Sequence, residues 1–425
     1  MMLRKLALGV LCTFVVFSEG FGQNSASTYS ALGIGEFNYG GQVQNQGMGG
    51  LGISFGTGWG ANVVNPALST RNTIFNFQAS LNYKRIAVSN ETENSTVDGG
   101  GLSYLALSLP VKTGKLTTGL GLGQISSINY RLKVDSPVNN SDLSASNYLE
   151  GDGGISEAYL NFGYLVTKNL SIGVHGSYLF GSSIRSNQLL IFDPNGVEVG
   201  RPSEYYERMT VSDVALKLGA HYFLKASEKS NLHFGAIYQK FGNVNGTAFA
   251  KLAPIGQASS VKTDGYLIAN NDRGAIYIPD RLGFGMSYEK FNKFVIGLEG
   301  QYQDFSDYRN FFGETMSLQS AQKVGLGFQV VPDFMDFDNL FNRATYRMGL
   351  EWLRTPYFIN QTTINDIGIN FGTSIPVNQL SLVNFAVKVG RRGTLDNGLI
   401  REGYVNFTFG LSLNDNSWFY KRVFE

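Results

Sequence analysis

The sequence predicts an all-β protein, a 14-stranded antiparallel transmembrane β-barrel with an N-terminal hatch, or plug, inside its lumen. Apolar and polar residues alternate almost without interruption after residue 72, which indicates strands with one apolar and one polar face. The connections between these strands are alternately long and short, as in outer-membrane barrels. Beyond the first 22 residues, no apolar run is long enough for a spanning helix, which needs about 20 residues.

Residues 1–22 are predicted to be a signal peptide. The basic pair Arg4 and Lys5 precedes the apolar run Leu6–Phe17, and small residues follow it. This run is shorter than the roughly 20 residues that cross a membrane as a helix. Cys12, the single cysteine, lies inside the run, so we expect a mature chain without disulfides or thiolate metal sites.

The charge balance excludes two classes of protein. Charged residues make up 16% of the 425 residues, and 34 Lys and Arg stand against 33 Asp and Glu. A disordered chain would carry more charge and fewer aromatic residues. A nucleic-acid-binding protein would carry a basic excess. We therefore predict an ordered protein without a nucleic-acid partner.

Residues 23–72 do not alternate and are rich in Gly and Asn. Such a segment is either a disordered leader or a plug folded inside the barrel. Its very low charge, with only Glu36 and Arg71, favours the plug over a solvated leader. The lumen would supply the hydrogen-bond partners that an irregular backbone requires.

Fourteen strands follow this segment. They are predicted near residues 73–88, 101–111, 115–131, 155–166, 169–185, 206–224, 231–241, 279–290, 293–306, 319–331, 343–355, 364–376, 380–391 and 400–413. The long connections are 89–100, 132–154, 186–205, 242–278, 307–318, 356–363 and 392–399, and part of 242–278 is expected to pair as a hairpin above the membrane. The remaining connections are short, apart from 332–342.

Alternation alone also fits a soluble antiparallel sheet with one buried face. The restriction of long loops to one end favours the membrane barrel, whose closure leaves no unpaired backbone in hydrocarbon. We therefore assign residues 73–413 to the barrel and 414–425 to a periplasmic C-terminal tail, with the protein in the outer membrane and both mature termini periplasmic. Aromatic residues expected at the membrane interfaces are Tyr83, Tyr104, Tyr130, Tyr164, Tyr222, Tyr288, Tyr302, Trp352 and Tyr404.

Three short motifs carry a family resemblance. They are Met48-Gly49-Gly50, then Asn65-Pro66-Ala67 at the end of the presumed hatch, and the C-terminal stretch from Phe409 to Arg422. With the signal peptide and the fourteen strands, the chain resembles the FadL/TodX family of outer-membrane hydrophobic-compound transporters, and its ending is similar to Bacteroidetes versions. The resemblance implies that the hatch closes the lumen and that a kink in the third barrel strand opens a lateral gap. Substrate would then move from an external apolar groove to an inner pocket and sideways into lipid.

Two sets of residues are candidates for this mechanism. Gly119, Gly121 and Gly123 in the third strand are a candidate wall defect, since glycine in a strand often marks a bend; equally, they could make room for the plug. Candidate ligand-capture residues on the loops are Phe249, Leu252, Ile255, Phe311, Phe312, Tyr357 and Phe358. Such side chains about as often pack the core of their own loop.

The polar residues predicted to face the lumen suggest no catalytic or metal-binding site. His175, His221 and His233 face it by parity, and the last two flank one turn as possible cross-strand partners. No acidic residue convincingly completes a metal site, and no catalytic triad or phosphate loop is present, so we predict no enzyme, no metal and no cofactor. The charged residues Lys84, Lys217, Glu299, Arg347, Glu351 and Lys388 are expected to pair with each other or with the plug.

The leading functional prediction is passive transport of hydrophobic small molecules, such as long-chain fatty acids, through a plugged barrel with lateral release. The predicted partners are a hydrophobic ligand, outer-membrane lipid and, in the alternative, a protein. In that alternative the barrel is a structural subunit of an outer-membrane assembly such as a protein secretion complex, as implied by the PorV-type subunits of Bacteroidetes. An apolar tunnel joined to a wall gap would favour transport, and a sealed lumen with a protein-binding face on the loops would favour the assembly role. The plug disfavours a general aqueous porin.

Overall fold

The computed structural model describes residues 27–39, 41–336, 338–377 and 381–415. The predicted signal peptide and all but two residues of the predicted C-terminal tail lie outside the described residues. The seventeen strands are β1 (Glu36–Phe37), β2 (Phe75–Ser89), β3 (Asn94–Lys112), β4 (Leu116–Pro137), β5 (Ser144–Leu165), β6 (Leu170–Phe192), β7 (Glu198–Ser227), β8 (Ser230–Lys240), β9 (Gly242–Pro254), β10 (Tyr266–Ile278), β11 (Arg281–Lys290), β12 (Phe294–Asp304), β13 (Ser320–Val330), β14 (Thr345–Ile359), β15 (Thr362–Pro376), β16 (Leu382–Gly393) and β17 (Arg401–Asp415).

Fourteen of these strands, β2–β8 and β11–β17, form a closed antiparallel barrel, which confirms the predicted fold class. Consecutive barrel strands pair with each other, and β8 pairs with β11 across the insertion of β9 and β10. The last strand returns to the first, because β17 pairs with β2 along its whole length. Closure leaves the barrel without an edge strand around its circumference.

The barrel wall has an apolar outer face and a polar inner face. On β14 the outward side chains of Met348 and Leu350 are 52% and 51% exposed, whereas the inward Arg347 is 7% exposed. Apolar side chains on the outside of a closed barrel are in contact with hydrocarbon when the barrel spans a membrane. The alternation in the sequence is therefore the alternation between lipid and lumen.

The two ends of the barrel differ. The turn end carries the connections 113–115, 166–169, 228–229, 291–293 and 331–344. At the opposite end, the loop end, β4 to β7 continue well beyond their predicted limits, so most of the predicted loops 132–154 and 186–205 is paired strand. The insertion forms the predicted hairpin, in which β9 pairs with β10 and with the start of β7. Above the membrane both faces of a strand contact water or protein, so the period-two alternation is weaker there. The strand lengths predicted from the sequence are therefore too short.

The helices are short. They are α1 (Val43–Gln46), α2 (Leu340–Arg343) and the 3₁₀ helices Thr28–Ala31, Pro66–Arg71, Phe305–Asp307 and Asp396–Gly398. Within the described part of the chain, no helix has the length and apolar character needed to cross a membrane.

Candidate functional site: the lumen and the break in its wall

The N-terminal segment, Ser27–Asn72, packs against the inner wall of the barrel. Its Asn65 is fully buried and begins the 3₁₀ helix Pro66–Arg71, because its side chain accepts a 3.0 Å hydrogen bond from the backbone nitrogen of Ala67. The amide nitrogen of the same side chain donates to the carbonyl of Ala220 on β7 at 3.0 Å. The Asn-Pro-Ala motif therefore both starts a helix and fastens it to the wall.

Glycines of the wall make this contact possible. A Cβ atom on Gly173 would lie 2.3 Å from the backbone nitrogen of Ala67, and one on Gly219 would lie 2.2 Å from Oδ1 of Asn65. A Cβ atom on Gly163 would lie 2.2 Å from Oγ of Ser69. Any larger residue at these positions would occupy the space of the helix, so glycine allows close backbone approach here.

The Met48-Gly49-Gly50 motif lies on a second glycine surface. Gly49 and Gly50 have φ values of +68° and +78°, which L-residues with a side chain rarely adopt. A Cβ atom on Gly349 of β14 would lie 2.1 Å from the nitrogen of Gly49, and one on Gly325 of β13 would lie 2.4 Å from its carbonyl oxygen. The motif is a tight turn that rests directly on the backbone of the wall.

Charged lumen residues hold the segment by its backbone. The carboxylate of Glu299 accepts hydrogen bonds of 2.7–2.9 Å from the backbone nitrogens of residues 52–54. Lys217 donates to the carbonyl of Val63 at 3.0 Å. Glu351 instead pairs within the wall, with Lys388 at 2.8 Å. These contacts confirm the prediction that lumen charges pair with each other or with the segment for the residues just named. Arg347 departs from it, because its guanidinium donates to the neutral side chains of Gln329 and Ser374 in the wall.

A second group of charges lies nearer the loop end. Glu36 of β1 pairs with Lys84 at 2.9 Å and with Arg392 at 2.6 Å. Arg392 also pairs with Asp366 at 2.8 Å. The carboxylate of Glu402 accepts hydrogen bonds from the first described residues, Ser27 and Thr28. Polar contacts between the segment and the wall therefore begin at the first described residue.

Apolar side chains fill the loop end of the lumen. The segment contributes Tyr29, Ile34, Phe37 and Tyr39 to a buried group that we call the loop-end cluster, and the wall and loops contribute Ile125, Ile155, Leu179, Met209, Val211, Ala215, Phe241, Val244, Ile276, Ile278, Phe305, Tyr308, Leu318, Ala321, Tyr357, Ile364 and Leu399. Tyr357 stacks on Tyr29 with ring centroids 6.1 Å apart and donates to the carbonyl of Gly35 at 2.9 Å. The segment itself thus occupies the apolar part of the lumen.

Small cavities lie beside the segment, and their linings mix polar and apolar side chains. One measures about 170 Å³ and includes Glu36, Lys84, Lys388 and Arg392 among its lining residues. A second of about 60 Å³ lies next to Tyr39, and a third of about 20 Å³ lies beside Met48. An apolar cavity of roughly 150 Å³ can bind benzene, but a charged lining of similar size favours water.

The wall is interrupted between β3 and β4. Their ladder begins at the turn end and stops at the pair Tyr104–Gly123. Beyond that pair, β3 stays bonded to β2 and β4 to β5, and each strand has one extra residue at the point of separation, Ser103 in β3 and Ile125 in β4. Bulges of this kind bend strands apart. The break lies beside the 60 Å³ cavity, which Ser103, Tyr104 and Gly123 help to line.

At this break β4 loses its partner β3, and the N-terminal segment covers part of the unpaired edge. Strand β1 pairs with β4 through Glu36–Ser127 and Phe37–Ser126. The backbone nitrogen of Asn38 adds a 2.8 Å hydrogen bond to the carbonyl of Ile125. Backbone groups that face away from β3 are therefore satisfied from inside the lumen.

The comparisons with solved structures agree with this architecture. The P. putida toluene transporter TodX is 16% identical over 87% of this chain and 97% of its own, with a TM-score of 0.54. A Pseudomonas aeruginosa FadL homologue is 12% identical over 90% and 99%, with a TM-score of 0.57. The CymD monoaromatic hydrocarbon channel is 13% identical over 89% and 99%, with a TM-score of 0.53. At these identities the likeness establishes the FadL-type fold.

Sequence comparison decides the family. No curated protein sequence matches the chain. The model of the BamG family matches residues 2–425. The chain belongs to the BamG family.

In this BamG-family chain, the predicted wall-defect glycines lie just below the break. Gly119, Gly121 and Gly123 occupy regular ladder positions, opposite β3 on one side and β5 on the other. A Cβ atom on Gly121 would lie 2.5 Å from the hydroxyl of Tyr159, so this glycine makes room for a lumen side chain. The ladder ends at the last of the three glycines.

The predicted ligand-capture residues are divided between buried and accessible positions. Phe249 and Tyr357 are buried, at 2% and 4% exposure, so neither meets a ligand outside the barrel without a rearrangement. Leu252, Ile255 and Phe312 are exposed, and Phe311 and Phe358 are half-buried. The structure does not bring the seven residues together into one groove.

The three lumen histidines lie in packed surroundings. Nε2 of His221 is 3.1 Å from Nδ1 of His233, although His221 is opposite Gly235 in the ladder and not opposite His233. Glu289 contacts both Nε2 of His233, at 3.0 Å, and Arg71 of the segment, at 2.8 Å. Within the described residues no group of three or more His, Cys, Asp or Glu side chains is placed to hold a metal ion.

The predicted interfacial position is wrong for two of the aromatic residues. Tyr104 and Tyr404 are 8% and 4% exposed and point into the lumen, where Tyr104 accepts a hydrogen bond from Val43 and Tyr404 donates one to Asp366. Tyr404 lies near a strand end, but its alternation with the outward Val405 and Phe407 places it inside. The same strand alternation also places the glycines that contact the segment on the lumen face.

Proposed function

We propose that this chain serves in the outer membrane as a closed barrel, a structural subunit of a multi-protein assembly. The observation that carries the proposal is the filled lumen. The segment occupies the apolar part of the lumen, and the cavities beside it are small and have charged residues in their linings. A molecule crossing the barrel would have to displace the segment. In a FadL-type barrel the turn end would face the periplasm.

Displacing the segment would be costly. It would remove the partners of the buried carboxylate of Glu299 and of the ammonium of Lys84. Breaking a buried ion pair by removing one partner costs about 3–5 kcal/mol. Glycine contacts such as those at Gly173 and Gly349 add close packing that would also be lost. A permanently closed barrel suits a structural role better than it suits a channel.

The first and last described residues lie at opposite ends of the barrel. Ser27, the first described residue, lies near the loop end beside Glu402, and Asp415, the last, lies at the turn end. Residues 23–26 lie outside the described residues. The position of Ser27 gives no support to a periplasmic mature N-terminus, and the periplasmic C-terminus stays a prediction.

The test is the native mass of the protein. We expect the chain, extracted with a mild detergent from cells that naturally produce it, to migrate on a blue native gel as a complex larger than one barrel. Liposomes that contain the purified barrel should stay impermeable to small sugars. Migration as a single barrel would contradict the assembly role, and rapid swelling in sugars would indicate an open porin.

Uptake of hydrophobic small molecules is the second candidate, and the break between β3 and β4 favours it. The loop-end cluster reaches Ile125 at this break, so an apolar path would exist if Phe37 and Tyr39 moved aside. Each CH₂ group gains about 0.8 kcal/mol on leaving water, which would draw a fatty acid or similar compound along such a path into lipid. The FadL-type fold also supports this candidate.

Two measurements separate the candidates. Mass spectrometry of lipids and hydrocarbons that co-purify with the barrel would detect a bound cargo. Uptake of a labelled long-chain fatty acid would then be compared in cells with and without the protein. A co-purifying hydrophobic compound together with lower uptake in the deletion strain would favour transport. Equal uptake and no bound compound would favour the assembly role.

A further inference from the structure

The connection between β13 and β14 is unlike the other turns of the barrel. It contains α2 and spans residues 331–344, of which Phe337 lies outside the described residues. The polar side chains of this turn hold its own backbone. Oδ1 of Asp336 accepts hydrogen bonds from the backbone nitrogens of Asp338 and Asn339 at 3.0 and 2.9 Å, and its Oδ2 accepts from Nδ2 of Asn342 at 2.6 Å.

Further hydrogen bonds close the turn. The backbone nitrogen of Asp333 donates to the carbonyl of Asn342 at 2.9 Å, so the two ends of the turn are joined. The side chain of Asn339 caps α2 by accepting from the backbone nitrogen of Phe341 at 3.0 Å. A turn with this many internal bonds is held in one conformation, and binding would not have to order it.

Four large apolar side chains of the turn point outwards. Met335 and Phe341 are 67% and 66% exposed, and Phe334 and Leu340 are 40% and 38% exposed. We call these four residues the turn-end patch. A soluble turn would ordinarily bury such residues. Contiguous exposed apolar side chains with a polar rim are typical of interaction sites.

Charge distinguishes between a lipid surface and a protein as the occupant of this patch. Four other turns at the same end each carry a lysine, namely Lys115, Lys168, Lys229 and Lys293. The turn with the patch carries Asp333, Asp336 and Asp338 against one cation, Arg343. Anionic lipid attracts basic segments and not acidic ones, so headgroups suit the lysine turns better than this one.

We propose that the turn-end patch docks into an apolar groove, rimmed by Lys or Arg side chains, on a soluble domain of a protein partner at the membrane surface. This inference rests on the proposed assembly role and names the surface that makes the contact. The apolar side chains would fill the groove, and the aspartates would meet its basic rim. Exposed aromatic and Met side chains are enriched at the centres of protein interfaces.

The double variant Met335→Ser/Phe341→Ser tests the patch in the full-length protein produced in its native cells. We expect the large complex on a blue native gel to be lost or reduced at least tenfold, with the barrel migrating alone. The matched control is Phe291→Ser, which removes a 41% exposed phenylalanine from the turn between β11 and β12. This control should leave the complex intact. Heat-modifiable migration on denaturing gels checks that each barrel is folded.

A photo-crosslinker at position 335 identifies the occupant. Replacement of Met335 by p-benzoylphenylalanine should give one protein adduct after irradiation of intact cells, and Asp338→Lys should reduce its yield several-fold. Peptide mapping should place the adduct in an apolar region flanked by Lys or Arg. Adducts to phospholipid alone, or a yield that Asp338→Lys does not change, would overturn the proposal.

The outcomes also separate this inference from the proposed function. If the wild-type protein migrates as a single barrel, both the assembly role and the docking surface are wrong. If the wild-type complex is large and the double variant keeps it, the docking surface alone is wrong. Loss of the complex in the Phe291→Ser control as well would show that the effect is not specific to the patch, and would also overturn the docking surface.

Discussion

The carboxylate of Glu299 on β12 accepts a 2.8 Å hydrogen bond from the backbone nitrogen of Ile53, deep inside the barrel. The neighbouring nitrogens of Gly52 and Ser54 bond to the same carboxylate at 2.8 and 2.7 Å. Three backbone donors thus converge on one buried wall residue. Hydrogen bonds to charged groups contribute about 1.5–3 kcal/mol each. Glu299 is therefore a main anchor of the N-terminal segment.

We expect Glu299→Gln to loosen this anchor without changing the volume of the side chain. Amide hydrogen exchange of residues 52–54, measured by mass spectrometry on the barrel in nanodiscs, should be at least tenfold faster, since each 1.4 kcal/mol is worth about a factor of ten. Glu150→Gln, which removes an exposed partner of Arg131, is the control and should leave exchange in this region unchanged. Unaltered exchange in Glu299→Gln would mean that glycine packing alone holds the segment.

Two glycines on β6 provide a direct test of the seat for the Asn-Pro-Ala helix. Gly173 faces the lumen, and a Cβ there would lie 2.3 Å from the carbonyl carbon of Pro66. Gly176 is on the same strand, and a Cβ there would meet nothing within 4 Å. Overpacking a well-filled site costs about 1–3 kcal/mol. Gly173→Ala should therefore lower the temperature of barrel unfolding on heat-modifiable gels, and Gly176→Ala should not. Equal shifts in both variants would argue against a specific seat.

Much of the barrel could be predicted from the sequence because lipid and lumen impose a strict alternation on the strands. The alternation at Tyr346, Met348, Leu350 and Trp352 gives both the strand and its outward face. It is lost above the membrane, which is why the paired stretch Ser144–Gly153 of β5 was assigned to a loop. The sequence therefore predicts strand ends poorly where a strand no longer has lipid on one face and the lumen on the other.

The site was less predictable because it depends on contacts between residues far apart in the chain. In the sequence Glu36 is only a rare charge in a weakly charged segment, yet it binds Lys84 and Arg392, up to 356 residues away. The break in the wall likewise follows from where the β3–β4 ladder stops, which no local pattern records. The three glycines of β4 pointed to the right strand, but the separation begins at the bulged residues Ser103 and Ile125.

The ion pair between Glu36 and Lys84 should couple the segment to the wall near this break. Glu36→Gln leaves the buried ammonium of Lys84 without its carboxylate, and Lys84→Met leaves Glu36 with Arg392 as its remaining cation. A double-mutant cycle should give a coupling energy of about 0.5–3 kcal/mol, so the double variant should be less perturbed than the sum of the single variants. The readout is amide exchange of residues 36–38, where β1 pairs with β4. Additive effects would contradict a direct pair.

The conformation of the β13–β14 turn should depend on Asp336. Hydrogen bonds from Asn342 and from the backbone nitrogens of Asn339 and Asp338 hold the pKa of this carboxyl below its usual range. A carboxyl whose pKa is lower in the folded turn stabilises the turn at neutral pH, and this contribution is lost as the pH falls through that lowered pKa. We expect wild-type barrels to resist chymotrypsin at Phe341 at neutral pH and to become open to pepsin in this turn only in strong acid.

Asp336→Ala should remove this dependence. The turn would lose its internal acceptor, so chymotrypsin should cut at Phe334 or Phe341 at neutral pH, and mass spectrometry would identify the fragments. Asp338→Ala is the matched control, because Asp338 donates its backbone nitrogen to Asp336 and keeps that nitrogen when its side chain is shortened. Rapid cleavage of both variants would mean that the side chain of Asp338 also holds the turn. Resistance of both would mean that the closing bond from Asp333 to Asn342 is sufficient.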